Sequence, residues 1–194
     1  MAEGPAAYEY RVFAPALARQ RALLDRTGSF QSRETRTDTY FAVPGRSDAS
    51  LKVRDGRLDL KLLRGKEGTL ELWERAGQAD FPVERVRLEG AFLEPAGIAL
   101  MLPGGAIGHE KLLSLARADR DIHIVEATKT RRLYLLEDAR VEFTEVTMAG
   151  KRRESAAVED HCARAALRAV ALLGIADLPN TSYQRRLLDM IPTN

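Results

Sequence analysis

Residues 51–65, LKVRDGRLDLKLLRG, alternate apolar and charged side chains twice, in Leu51-Lys52-Val53-Arg54 and in Leu58-Asp59-Leu60-Lys61. Alternation with period two predicts strands buried on one face, and the intervening Asp55-Gly56 predicts a tight hairpin turn. Similar strand patterns occur in YEYRVF (8–13), RTDTYFAV (36–43), TLELWER (69–75), DIHIVEATKTRRLYLL (121–136), ARVEFTEVTM (139–148) and KRRESAAVED (151–160). Helical spacing marks residues 16–26, stopped by Gly28, and HEKLLSLARA (109–118). It marks HCARAALRAVALLG (161–174), with Ala165, Leu167, Val170, Leu172 and Leu173 apolar and Gly174 as the cap, and the tail TSYQRRLLDMI (181–191). Residues 76–108, broken by Pro and Gly, show no clear period. About eight strands with helices at the start, the middle and the end predict an α+β fold with a large antiparallel sheet. The length fits one domain over residues 1–194.

If the apolar residues of each strand pack against helices, parity gives the opposite face. That face carries Arg11, Lys52, Arg54, Lys61, Lys129 and Arg131, with Glu9, Glu71, Glu142 and Glu159 among them. Ala7, Phe13, Asp59, Trp73, Thr144 and Ala157 share it. One reading is an antiparallel sheet with an ordinary wet face. The other is a closed barrel, which turns the charges inward. Charges inside a barrel are costly unless paired or occupied by ligand. Such a tunnel would receive a polyanion, and its carboxylates would offer oxygen ligands to a divalent metal.

Composition narrows the partners. Net charge is only +2, from 30 Lys and Arg against 28 Asp and Glu, so no overall basic field points to bulk nucleic-acid binding. The single cysteine, Cys162, fits a reducing cytoplasm. The N-terminus has no basic stretch followed by an apolar one, and no apolar run approaches the ~20 residues that span a bilayer, so a cytoplasmic protein with no membrane partner is expected.

The order and parity of these segments resemble the CYTH domains, or triphosphate tunnel metalloenzymes, which include class IV adenylate cyclases, thiamine triphosphatases and inorganic triphosphatases. The family's E-x-E-x-K strand is matched by Ala7-Tyr8-Glu9-Tyr10-Arg11, its D-x-Y-F segment by Asp38-Thr39-Tyr40-Phe41, and its L-R-x-R strand by Leu51-Lys52-Val53-Arg54. Its inward lysine is matched by Lys61, and its K-x-R-R-x-Y segment by Lys129-Thr130-Arg131-Arg132-Leu133-Tyr134. VEFTEV (141–146) matches the acidic strand, Ala157-Val158-Glu159 the final E-x-E strand, and Ser182-Tyr183-Gln184-Arg185-Arg186-Leu187-Leu188 the terminal S-Y-x-x-L-L pattern, offset by one residue.

The resemblance implies an eight-stranded antiparallel β-barrel forming a tunnel with flanking helices, and a metal-dependent phosphohydrolase acting on inorganic triphosphate, thiamine triphosphate or a nucleotide. It implies that Arg11, Lys52, Arg54, Lys61, Lys129 and Arg131 bind phosphate, that Glu9, Glu71, Glu142 and Glu159 hold Mg²⁺ or Mn²⁺, and that Glu9, Lys61 and Glu159 serve catalysis. A homodimer is left open. Three usual acids are replaced by Ala7, Thr144 and Ala157, and Arg11 stands in place of Lys. This keeps two alternatives in play: a phosphate-binding module without hydrolysis, and a different reaction on the same fold, such as adenylate cyclisation.

Other candidates are weaker. His109, His123 and His161 lack partners at zinc-binding spacing. Gly104, Gly105 and Gly108 lack the Lys and Ser/Thr of a phosphate loop. Lys151-Arg152-Arg153 reads as a solvated turn, and Trp73 as a tunnel wall or a stacking surface for a base.

Overall fold

The computed structural model describes residues 4–191. The chain forms β1 (Gly4–Ala14), α1 (Ala18–Thr27), β2 (Ser29–Ala42), β3 (Ala49–Arg54), β4 (Arg57–Glu67) and β5 (Leu70–Asp80). A connecting region follows with β6 (Val83–Glu84), the one-turn α2 (Arg85–Leu88), a π-helical turn (Glu89–Leu93), β7 (Ala106–Ile107) and α3 (His109–Ala118). The chain then forms β8 (His123–Leu136), β9 (Ala139–Met148), β10 (Lys151–Asp160), α4 (Ala163–Leu173) and α5 (Tyr183–Leu188).

Eight strands close into an antiparallel barrel in the order β1-β10-β9-β8-β2-β3-β4-β5, with β5 pairing back onto β1. The expected α+β barrel with flanking helices is therefore what the chain adopts. The Asp55-Gly56 turn has positive φ at both residues, 49° and 72°, the backbone a two-residue hairpin requires.

Outward-facing residues make two cores. Phe41, Leu51, Leu58 and Leu60 pack against Leu88, Phe92, Leu112 and Ala116 of the connecting region. Val12, Val141, Phe143 and Val158 pack against Leu24 of α1 and Ala166, Val170 and Leu173 of α4. The buried stripe of α4 is Ala166, Ala169, Val170 and Leu173, whereas Leu167 and Leu172 are exposed, so the expected apolar face is rotated. Gly174 ends the helix at φ 66°, a left-handed cap that glycine adopts without a Cβ clash.

Several boundaries move. β2 begins at Ser29 rather than Arg36, because its first half is exposed and held by pairing with β8 from Ser29↔Leu135 onward. β5 runs on to Asp80 through Gly77, where a Cβ would meet the Phe92 ring at 3.1 Å. The tail helix shortens to Tyr183–Leu188 and packs inside one end of the barrel, its Leu187 clustering with Tyr40, Ala127, Val146 and Met148. Among the described residues no helix is long and apolar enough to cross a membrane.

Candidate functional site

Closure turns the charged face of every strand into a lumen. β1 supplies Glu9 and Arg11, β3 supplies Lys52 and Arg54, β4 Lys61, β8 Lys129 and Arg131, β9 Glu142, and β10 Glu159, all lining one cavity of about 120 Å³. The six expected cations are thus brought together. Arg36, Arg75 and Arg140 join them, giving nine cationic side chains against the three lining carboxylates Glu9, Glu142 and Glu159. Parity carried through the full lengths of β2, β5 and β9 marks these three arginines, as it marks Asp38 and Tyr40.

Two aspartates order the basic wall from behind, and both are fully buried. Asp38 accepts two hydrogen bonds from Arg54, at 2.9 and 2.8 Å, and one from Lys129 Nζ at 2.7 Å. Arg36 Nε lies 3.3 Å from the same carboxylate. Burial alone would raise the Asp38 pKa, but Arg54 and Lys129 outweigh it and hold the group below the usual carboxylate range. Asp59 lies 3.3 Å from Lys52 Nζ and 3.4 Å from Arg75 Nε. Burial likewise opposes ionisation of Asp59, and Lys52 and Arg54 overcome it. These interactions fix side chains that would otherwise repel one another.

The carboxylates expected to hold metal are distributed as follows. Strand register aligns Glu159, Glu9 and Glu71 on neighbouring β10, β1 and β5. Their side chains then diverge. Glu9 accepts from Arg11 Nε at 2.8 Å, and Glu159 lies 3.5 Å from Lys61 Nζ and 3.9 Å from Arg140. Glu71 turns away to accept from Trp73 Nε1 and Arg185, both at 3.1 Å. Glu142 accepts from Arg11 Nη1 at 2.9 Å, from Thr144 Oγ1 at 2.9 Å and from Arg131 Nε at 2.7 Å. Glu9 and Glu142 both sit below the usual range because Arg11 and other cations outweigh their burial.

Among the described residues no group of three or more His, Cys, Asp or Glu side chains is arranged to hold a metal ion. The nearest fit is the cross-strand pair Glu9 and Glu159 with Lys61 between them, its Nζ 4.0 Å from Glu9 Oε2. Carboxylate oxygens are the donor type that Mg²⁺ and Mn²⁺ take, and in this structure the Lys61 ammonium stands between the two.

The two ends of the lumen differ. At one end Ser182, Tyr183 and Gln184 of the terminal segment line the cavity. This segment is anchored by Asn180 Nδ2, which donates to the Glu9 and Thr69 carbonyls, and by Thr181 N, which donates to the Arg11 carbonyl. At the other end a wider chamber of about 310 Å³ opens, bordered by Ala7, Trp73, Arg75, Arg140 and His161. Trp73 lines both spaces, so its indole is wall to the tunnel and rim to the mouth.

The sequence matches no protein-family model and no curated protein. Its fold is similar to that of solved structures. A conserved hypothetical protein from Pyrococcus furiosus aligns with a TM-score of 0.54 at 18% identity, over 94% of this chain and 99% of the other. A candidate adenylate cyclase from Bacillus halodurans aligns with a TM-score of 0.57 at 13% identity, over 96% and 98%. A candidate adenylyl cyclase from Hippeastrum, described as having a dominant triphosphatase activity, aligns with a TM-score of 0.53 at 11% identity, over 95% of both chains. At these identities the likeness is one of fold.

Proposed function

We propose that the tunnel binds a triphosphate-bearing small molecule, whether inorganic triphosphate, thiamine triphosphate or a nucleotide, and hydrolyses a phosphoanhydride bond with Mg²⁺ or Mn²⁺. The observation that carries this reading is the excess of cations in the lumen, nine around three lining carboxylates with Asp38 and Asp59 buried behind them, an excess that remains when all five acids are counted. An imbalance of that kind inside a barrel is relieved by a bound polyanion. Arg11, Arg54 and Arg131 direct guanidinium charge at the lumen from their carboxylate anchors, and Lys52, Lys61 and Lys129 add point charges. Asp38 and Asp59 hold this wall in place before the ligand arrives, so little reorganisation accompanies binding.

Glu9 and Glu159 would hold the metal together with phosphate oxygens. The bound ion supplies charge neutralisation and a more acidic water. Lys61, between the two carboxylates, would stabilise charge developing on the departing phosphate. Glu142 keeps Arg11 and Arg131 aligned, and Glu71 anchors Arg185 of the terminal helix. The shared fold with a Hippeastrum protein of triphosphatase activity supports the reading at the level of analogy.

The direct test is phosphate release from tripolyphosphate, thiamine triphosphate and ATP, each with Mg²⁺ and Mn²⁺. Turnover of at least one that vanishes with chelator is expected; no turnover of any sinks the hydrolase. A second reading, binding without hydrolysis, draws on Ala7, Thr144 and Ala157 in acidic positions of the resembled family. It expects calorimetric binding of tripolyphosphate that is indifferent to metal, with no phosphate released. A cyclase would instead yield cyclic AMP from ATP, visible by mass spectrometry.

A further inference from the structure

The Tyr183 ring is held from several sides. Tyr40 stacks on it with centroids 6.0 Å apart, and Phe13 meets it edge-on at 5.0 Å. Lys129 Nζ lies 3.7 Å from its centroid and the Arg11 guanidinium carbon 4.7 Å. Two cations over a π-face and two aromatic neighbours fix where the hydroxyl goes. The hydroxyl oxygen is buried beside the cavity and has no hydrogen-bond partner among the described residues. Next to it in sequence, buried Gln184 directs Nε2 to the Arg46 carbonyl and leaves its own Oε1 unpartnered.

A buried hydroxyl without a partner is costly. Here the reason is local. Lys129 and Arg11 are donors without acceptor capacity. The carboxylates of Asp38 and Glu142 are engaged by Arg54 and Lys129, and by Arg11 and Arg131. The phenol hydrogen therefore lacks an acceptor, which an anion oxygen in the adjoining cavity would provide. Burial raises the phenol pKa, so the group stays protonated and able to donate.

We infer that Tyr183 is a ligand-binding residue: its hydroxyl donates to a phosphate oxygen held by Arg11, with Lys129 fixed beneath the ring by Asp38 and Tyr40, making the terminal helix part of the anion site. This rests on the phosphate-tunnel reading above and adds to it a neutral donor contributed from outside the barrel strands. A neutral donor complements the cations because it binds the anion without adding repulsion to the wall.

Tyr183→Phe separates this role from packing. The ring and its contacts remain, and an unsatisfied buried group is removed. The ligand-free variant should therefore melt at the wild-type temperature or slightly above it, while calorimetry with tripolyphosphate shows binding weakened roughly ten- to a hundredfold, the worth of a hydrogen bond to a charged group. Tyr183→Ala, which also loses the ring, should melt lower. Wild-type binding of tripolyphosphate with Tyr183→Phe binding equally well overturns the role of the hydroxyl and leaves the tunnel reading intact. A clear fall in the melting temperature of ligand-free Tyr183→Phe overturns it too, because the hydroxyl then has a structural partner. Absence of tripolyphosphate binding by the wild type overturns the phosphate reading and this inference with it.

Discussion

Asp38 on β2 and Arg54 on β3 are direct cross-strand neighbours joined by two hydrogen bonds, and the same carboxylate also receives Lys129 from β8. One buried acid thus ties three adjacent strands together through the lumen. Replacing Asp38 with Ala leaves Arg54 and Lys129 buried without their shared counter-ion. The expected cost is about 3–5 kcal/mol, read as a lowered denaturant midpoint. Burial disfavours the Lys129 ammonium and Asp38 opposes that effect, so tripolyphosphate binding should fall as well. A fully stable Asp38→Ala protein would mean the pair contributes nothing to the barrel.

Acid should weaken the fold through the same group. The Asp38 and Asp59 pKa values are held below the unfolded aspartate value of about 3.9, and those of Glu9 and Glu142 below the unfolded glutamate value of about 4.3. A depressed carboxylate stabilises the fold above the unfolded value, and that contribution is lost as pH falls through the folded one. Stability should hold through neutral pH and decline below about pH 4, and Asp38→Asn should show a shallower acid limb. Circular dichroism against pH, compared between the two proteins, checks this.

Lys52 sets a limit on the alkaline side. Burial, and after it the Arg54 guanidinium, push the Lys52 ammonium down to about 8, against the pull of Asp59. Its folded value lies below that of an unfolded lysine. The charged form therefore costs stability below about pH 8, and the cost fades as pH rises toward about 10.4. For binding the direction reverses, because the ligand-free tunnel loses this cation above about 8. Tripolyphosphate affinity should drop severalfold from about pH 7 to about pH 9, with proton uptake on binding, and Lys52→Gln should flatten the profile.

Glu159 and Glu9 should separate catalysis from binding. Gln at either position keeps the shape and removes a metal-type oxygen donor. Turnover of the active substrate should fall roughly a hundredfold or more in Glu159→Gln and Glu9→Gln, while tripolyphosphate remains bound. Undiminished turnover in both would remove them from the proposed metal site.

Trp73 gives an optical reading of the lumen. It is the chain's only tryptophan and lines both the tunnel and the mouth chamber. A phosphate ligand entering beside it changes the field at the indole, so titration with tripolyphosphate should shift its emission. Trp73→Phe should bind with the signal gone. A wild-type emission that stays flat at concentrations where calorimetry shows binding would place the ligand away from the indole.

The lumen was legible wherever one strand face was apolar and the other charged, which is why Lys52, Arg54, Lys61, Lys129 and Arg131 could be assigned by parity. SFQSRET in the first half of β2 was not, because it is exposed on both faces and takes its strand form from pairing with a segment about a hundred residues away. Arg36 opens the expected strand with the parity of Asp38 and Tyr40, yet the expected charged face omits it, and ending β5 at Arg75 hid the approach of Phe92 to Gly77. Tyr183 was beyond pattern reasoning for a different reason. Spacing marks the helix, but the place of Tyr183 in the site comes from docking inside a barrel formed by distant strands. Glu71 shows the converse limit: register puts it beside Glu9, but its rotamer follows Trp73 and Arg185.

The terminal helix, by filling one end of the barrel, makes arrival and departure share a route at the other. On the proposed hydrolysis a spent fragment would leave by the route the next substrate takes, so phosphate product should compete with substrate. On the same proposal a long polyphosphate would enter by its terminus, so chain ends rather than total phosphate would set the occupancy of the site.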